Sequence, residues 1–137
     1  MEQERYAYFG DLHVHTAYSF DGYSFGTLAS PYDAYRFAQG EAIKNPAGYN
    51  MQLSQPMDFY AVTDHGMFLG LVQAAADTST AFSKNSYTER YHDLNAPENL
   101  GAGLLSRMSR LLTFSDFIPE TIAGLLDGTL DLSLIHI

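Results

Sequence analysis

The residues best suited to chemistry in this sequence are His13 and His15, two positions apart, then Asp21, and His65 at the end of Thr63-Asp64-His65. Leu12-His13-Val14-His15 alternates in polarity. In an extended strand such alternate side chains leave on one side, from Cα positions roughly 6 to 7 Å apart. Both imidazoles could then reach a single cation. Zinc accepts imidazole nitrogen at about 2.0 to 2.1 Å, and manganese or iron tolerates the same ligands when carboxylates join them. There is no cysteine, so disulfides and thiolate sites are excluded, and a transition metal must use His and carboxylate ligands. Taken alone, His-x-His equally describes two surface histidines on an edge strand. A further histidine at the end of a second strand moves the balance toward a shared site. His92 lies in a polar stretch and reads as a solvated residue.

Positioning these groups requires strands whose ends meet. Residues 6–15 mix aromatic and branched side chains and read as a strand. Asp11, His13 and His15 share one face; Leu12 and Val14 share the other, where helices can cover them. Residues 16–29, rich in Gly, Ser and aromatics without a period, read as a long loop. Its aromatics Tyr18, Phe20, Tyr23 and Phe25 could wall a pocket, but packing beneath the loop is the simpler expectation. Ser30 and Pro31 suit the cap and first position of a helix through about Ala38, with Gly40 near its stop. Residues 45–56 read as connection. Residues 57–63 form a nearly continuous apolar run, as expected of a strand buried on both faces of a parallel sheet. Strand, helix and strand imply a right-handed βαβ unit, so the two strand ends share one mouth, the place where α/β proteins gather ligands. Residues 66–76 predict a short helix, residues 77–98 turn polar, and residues 100–112 predict a helix with Leu104, Leu105, Met108, Leu111 and Leu112 at helical spacings. A last helix is expected over residues 118–126. Nothing after residue 100 carries recognisable chemistry.

At 137 residues, 46% hydrophobic, the chain has room for about one small domain. The net charge of −9 opposes a broad nucleic-acid or anionic-membrane footprint, because phosphates would meet a negative field before any specific contact formed. A small-molecule substrate is favoured over a polymer. No window is long and apolar enough to span a bilayer, and the polar first residues lack the apolar core of a secretory signal. As written, a cytoplasmic location is expected; a periplasmic or secreted one follows only if the true N-terminus is missing. The final residues, 132–137, resemble a translated transposase adaptor of the kind used in sequencing-library preparation. On that reading residues 1–131 are the N-terminal part of one domain, the natural chain continues, and His136 is not a ligand.

The string Tyr8-Phe-Gly-Asp-Leu-His-Val-His-Thr-Ala-Tyr-Ser-Phe-Asp-Gly22, followed by Asp58-Phe-Tyr-Ala-Val-Thr-Asp-His65, resembles the first two motifs of the PHP (polymerase and histidinol phosphatase) superfamily. It is most similar to a branch catalogued as domain of unknown function 3604, in which Phe-Ala-x-Gly-Glu-Ala, here Phe37 to Ala42, precedes the second motif. The resemblance implies an α/β fold, a distorted (β/α)7 barrel of which only the first strands and helices are present. It also implies two or three divalent ions (Zn, Mn or Fe) at the strands' C-terminal ends. His13 and His15 would bind the first ion. Asp21 stands where relatives often place a histidine, and with His65 it would bind another. Replacing imidazole by carboxylate changes softness and charge, and so the preferred metal. Asp11 and Asp64 would be supporting acceptors that orient ring N–H groups of neighbouring ligands, and Asp64 and His65 would border the reacting centre. The family's later ligands, a bridging glutamate, two histidines and a late Asp-x-His, have no match. A fragment lacking them is expected to hold metal weakly and catalyse little.

The implied activity of the complete protein is metal-dependent hydrolysis, with a phosphate ester as substrate and a metal-activated water as nucleophile. An amidohydrolase-type barrel, which also opens with His-x-His, is the nearest enzymatic rival; the early Asp21 and the Thr-Asp-His ending favour the PHP resemblance. A non-catalytic metal-binding regulatory module that kept only the first motifs is the alternative from another class.

Overall fold

The computed structural model describes residues 5–101, 103–112, 118–119 and 122–124, in a mixed α/β arrangement of two small sheets and several helices. Strands β1 (Gly10–Val14) and β4 (Phe59–Val62) pair in parallel, with Gly10 opposite Phe59, Asp11 opposite Tyr60 and Val14 opposite Val62. From Asp11 to Val14 is three steps, but from Tyr60 to Val62 only two, so β1 carries an irregularity at Leu12 and His13. Such bulges re-aim side chains near functional sites. Gly10 is required where it stands: a Cβ there would run into the carbonyl oxygen and ring of Phe59. Asp58 extends the pairing at one end, its N–H donating to the Phe9 carbonyl at 2.8 Å and its carboxylate accepting from the Phe9 N–H at 2.8 Å. At the other end the Thr63 N–H donates to the Val14 carbonyl at 2.8 Å and its hydroxyl accepts from the Val14 N–H at 3.0 Å.

The crossover between the two strands contains helix α2 (Pro31–Ala38) and a small antiparallel hairpin, β2 (Ile43–Lys44) with β3 (Asn50–Met51). Helix α2 begins where its sequence dictates. Ser30 and Asp33 form a reciprocal capping box with proline in the first turn, which satisfies amide groups that would otherwise be orphaned at the helix start. The helix lies against β4: the Tyr35 hydroxyl accepts from the Val62 N–H at 3.3 Å, and its ring meets that of Tyr60 edge-on at 5.7 Å.

The remaining elements are α1 (Phe20–Ser24), α3 (Leu71–Ala76), two 3₁₀ segments (Phe82–Lys84 and Ser86–Tyr91), and α4 (Leu104–Leu112). The hydrophobic core sits among α3 and the 3₁₀ segments, where Leu71, Val72, Ala75, Ala76, Phe82, Tyr91 and Leu94 are buried. Phe20, Tyr23 and Phe68 pack against it. Phe68 takes a left-handed backbone (φ 57°), an uncommon state for a bulky residue, and its packing on this core helps to hold it. No helix among the described residues is long and apolar enough to cross a membrane.

Several expectations change here. The loop of residues 16–29 contains the short helix α1, and the connection of residues 45–56 contains β3. Two- and five-residue elements are too short to show a hydrophobic period. The helix expected over residues 66–76 is confined to Leu71–Ala76, because Phe68 and Gly70 both have positive φ just before it. The polar stretch of residues 77–98 holds both 3₁₀ segments. Leu12 is 63% exposed and Phe59 43% exposed, so neither strand is covered as its pattern predicts; α3 packs on α1 and on both 3₁₀ segments, while α2 takes β4. Of the helix expected over residues 100–112, α4 occupies Leu104–Leu112; Leu104 and Leu105 face outward at 64% and 83% exposure, and Arg107 turns inward. Of the helix expected over residues 118–126, residues 118–119 and 122–124 are helical; the rest of it, and the tail with His136, lie outside the described residues.

The cap of α2 supports two expected outcomes. Ser30→Ala should lower unfolding stability by about 1 kcal/mol, read from the midpoint of a urea titration. Hydrogen bonds from the Ser30 hydroxyl and then its backbone N–H hold the Asp33 carboxyl below its ordinary value of 3.8, against a smaller burial effect and with help from Arg36. A carboxylate with a lowered folded pKa contributes stability that is complete above the unfolded value and lost as pH falls through the folded one. Asp33→Asn should therefore be less stable than the parent near neutral pH and lose less on acidification below about pH 4; parallel acid-unfolding curves would contradict the assignment.

Candidate metal centre

The site forms where the C-terminal ends of β1 and β4 meet. His15 follows the last residue of β1, and the chain then turns through buried Thr16, Ala17 and Ser19 into α1, whose first turn carries Asp21. The turn is latched to the end of β4 by Asp64, whose carboxylate accepts both the Thr16 N–H at 2.5 Å and the Thr16 hydroxyl at 2.6 Å. Beyond His65, the Gly70 N–H donates to the Tyr18 carbonyl at 2.7 Å, tying the two loops again. Gly22 allows α1 to sit this close, since a Cβ at that position would strike the Thr16 carbonyl oxygen.

These constraints converge on the Asp21 carboxylate. His15 Nδ1 lies 3.0 and 2.9 Å from its two oxygens, and His65 Nε2 lies 3.3 Å from Oδ2. The Gly22 N–H donates to Oδ1 at 2.7 Å and the Ser19 hydroxyl at 2.6 Å. Partial burial alone would push the Asp21 carboxyl up; the Ser19, Gly22 and His15 hydrogen bonds outweigh it, and the pKa falls below 3.8. Asp21 therefore stands as an anion at neutral pH. The His15 and His65 rings meet edge-on at 4.7 Å, and Phe20 lies against the other histidine partner, its ring 4.8 Å from that of His65.

His15, Asp21 and His65 each offer a ligand atom within 4.8 Å of the others and form a group able to hold a metal ion. The donor set fits. Two donors about 2.1 Å from one tetrahedral zinc are roughly 3.4 Å apart, close to the 2.9 and 3.3 Å separations from Asp21 to the two ring nitrogens. The anion beside two imidazoles suits a borderline divalent cation better than a hard one such as magnesium. Side-chain exposure rises from 19% at His15 and 26% at Asp21 to 47% at His65, so the group opens to solvent on the His65 side.

The other sequence candidates fall differently. The exposed His13 ring lies beside that of His15, centroids 4.9 Å apart, but it is outside the three-residue group. Asp11 accepts the backbone N–H of His13 at 2.9 Å, and both oxygens of Asp64 serve Thr16. Neither carboxylate orients a histidine ring as anticipated: on a strand end the nearest strong donors are backbone amides and hydroxyls. His92 is half-buried, its Nε2 2.9 Å from the Ser83 carbonyl oxygen, a tie within the 3₁₀ segments instead of a solvated position. Ser19 went unnoticed in the sequence. It is fully buried, donates to Asp21 and accepts the His65 N–H at 3.1 Å, so one hydroxyl joins two of the three ligands. Its position just before the helix bearing Asp21 was the available signal. A cavity of about 740 Å³, bordered by Leu28, Lys44, Pro46, Leu100 and Arg107, includes none of these ligands.

Ser19→Ala should weaken zinc binding by about tenfold, the usual scale for groups that orient metal ligands, as measured by calorimetric titration. Equal affinity in the variant would remove Ser19 from the site.

Among curated proteins and among solved structures, nothing matches the chain significantly. A family model described as a protein of unknown function (DUF3604) matches residues 2–129. That span takes in β1, the loop carrying Asp21, β4 and every residue of the candidate metal centre, and the chain therefore belongs to the DUF3604 family.

Proposed function

We propose that this protein is a metal-dependent hydrolase of PHP type, acting on a phosphate ester. The observation that carries the proposal is the meeting of His15, Asp21 and His65 at the ends of two parallel strands. Support also comes from the order of the motifs along the chain, since His13-x-His15 and Thr63-Asp64-His65 resemble the opening motifs of that superfamily, with Asp21 where relatives often place a histidine. A distorted (β/α)7 barrel would extend the β1 and β4 pair, and the exposed faces of Leu12 and Phe59 are compatible with further elements packing there.

In this proposal His15 through Nδ1, Asp21 and His65 would together hold one divalent cation (Zn, Mn or Fe), and His13, whose ring lies beside that of His15, would reach a neighbouring ion of the same cluster. Such cations supply a water that is nucleophilic near neutral pH and draw charge from a phosphoryl oxygen. The chain's own residues do the positioning. Asp21 offsets the cation's charge, and Ser19 fixes both the carboxylate and the backbone of His65. Asp64 keeps the two strand ends together through Thr16. Phe20 limits the swing of the His65 ring, and the open side at His65 is where a small anionic substrate would enter.

The test is metal analysis of the protein expressed from its contiguous gene, followed by assays with phosphate esters, lactones and amides. Phosphate-ester turnover that needs added Zn or Mn is expected, and His15→Ala should lose both turnover and bound metal. Full turnover with unchanged metal content in that variant would refute the assignment. Lactone or amide hydrolysis alone would favour the amidohydrolase alternative, and bound metal without turnover the regulatory one.

A further inference from the structure

We infer that Asn95 and Arg107 are positioning residues for Asp21, acting as a clamp on the carboxyl end of helix α1. This inference rests on the metal-centre proposal above and assigns a role to the part of the chain in which sequence reading found no chemistry. Helix α1 has five residues, far fewer than an isolated helix needs to persist in water. Something outside it must hold its geometry. At its start Ser19 and Gly22 fix the Asp21 carboxylate. At its end the Tyr23 carbonyl accepts the Gly26 N–H at 3.0 Å, and a carbonyl's second lone pair and the Ser24 carbonyl are open to further donors.

Two buried side chains supply them from 72 and 83 residues away. The Asn95 amide donates to the Tyr23 carbonyl at 2.7 Å, and Arg107 Nη1 donates to the Ser24 carbonyl at 3.2 Å. The same Nη1 donates to Asn95 Oδ1 at 2.9 Å, so the two side chains form one unit. Arg107 Nη2 reaches the carbonyls of Asn99 and Leu100 at 3.2 and 3.4 Å. Asn95 is 8% exposed and Arg107 6%. The planar guanidinium, with its fixed fork of donors, can join separate backbone segments in a way that a single ammonium cannot. Gly26 takes φ of 101°, and its chain passes so near the guanidinium that a Cβ would stand 3.1 Å from Nη1. The end of α1 is thus held by α4 through Arg107 and by the segment before α4 through Asn95, and a rotation of α1 would carry Asp21 away from His15 and His65.

The experiment titrates the protein with Co²⁺, whose visible bands report ligand geometry. Asn95→Asp keeps an acceptor for Arg107 and replaces the donor to Tyr23 by an anionic oxygen that repels its carbonyl; Arg107→Met removes the fork. Ser30→Ala, which removes the cap of α2 away from the clamp, provides a control of lowered melting temperature. Both clamp variants should bind Co²⁺ about tenfold more weakly with altered bands, while Ser30→Ala keeps parental affinity and bands. If Arg107→Met fails to fold, Asn95→Asp carries the test. Parental bands and affinity in the folded clamp variants would overturn the inference, as would an equal loss in Ser30→Ala. A parent protein that takes up no Co²⁺ would instead sink the metal-centre proposal, and the clamp with it.

Discussion

The Asp21 carboxylate gathers two imidazoles, a serine hydroxyl and a backbone amide around one small volume, and the surrounding structure is arranged to keep it there. An ionised carboxylate removed even partly from water needs donors or cations to offset the lost hydration. Here they come from three different stretches of chain: the end of β1, the first turn of α1 and the end of β4. Each stretch is in turn fixed by backbone contacts that tolerate little change, such as the Thr16 amide and hydroxyl on Asp64 and the close approach of Gly22 to Thr16. The lowered pKa of Asp21 is the electrostatic sign of the same arrangement.

Packing and chemistry are divided between two regions. The apolar core is built from α3 and the 3₁₀ segments, with Phe20 and Tyr23 of α1 packed against it. The parallel pair of β1 and β4 is held chiefly by its ladder, by Asp58 and Thr63 at its two ends, and by α2 on one strand. Helix α1 joins these regions, because one residue of it supplies the carboxylate and its neighbours are core aromatics. Phe20 serves both, lying on the core and against the His65 ring. Core packing is therefore coupled directly to the relative placement of His65 and Asp21.

What could be read from the sequence was whatever depends on near neighbours. Ser30, Pro31 and Asp33 specify the start of α2 by local hydrogen bonding, and it begins there. Alternation around His13 and His15 and the apolar run before Thr63 specify two strands, and their parallel pairing brings His15 and His65 together. The less legible features are those decided by distant contacts. Helix α1 is a five-residue turn inside a Gly- and Ser-rich loop, with no period to reveal it. The leucines of α4 suggested an apolar core face, yet among residues 104–109 Arg107 is the buried one, drawn inward by carbonyls on other segments. Asp64 looked like a partner for a histidine ring because it precedes one; its actual partner, Thr16, lies 48 residues away. Ser19 is a single buried hydroxyl whose importance comes only from the two groups it joins.

The central claim is that His15, Asp21 and His65 form one metal centre, and the most direct measurement is anomalous diffraction at the zinc edge from crystals grown with zinc. The account predicts an ordered peak at bonding distance, about 2.0 to 2.2 Å, from the Asp21 carboxylate and from His65 Nε2, with the His15 ring against it. A density map with no peak between these side chains, in which they remain bonded only to one another, would contradict it.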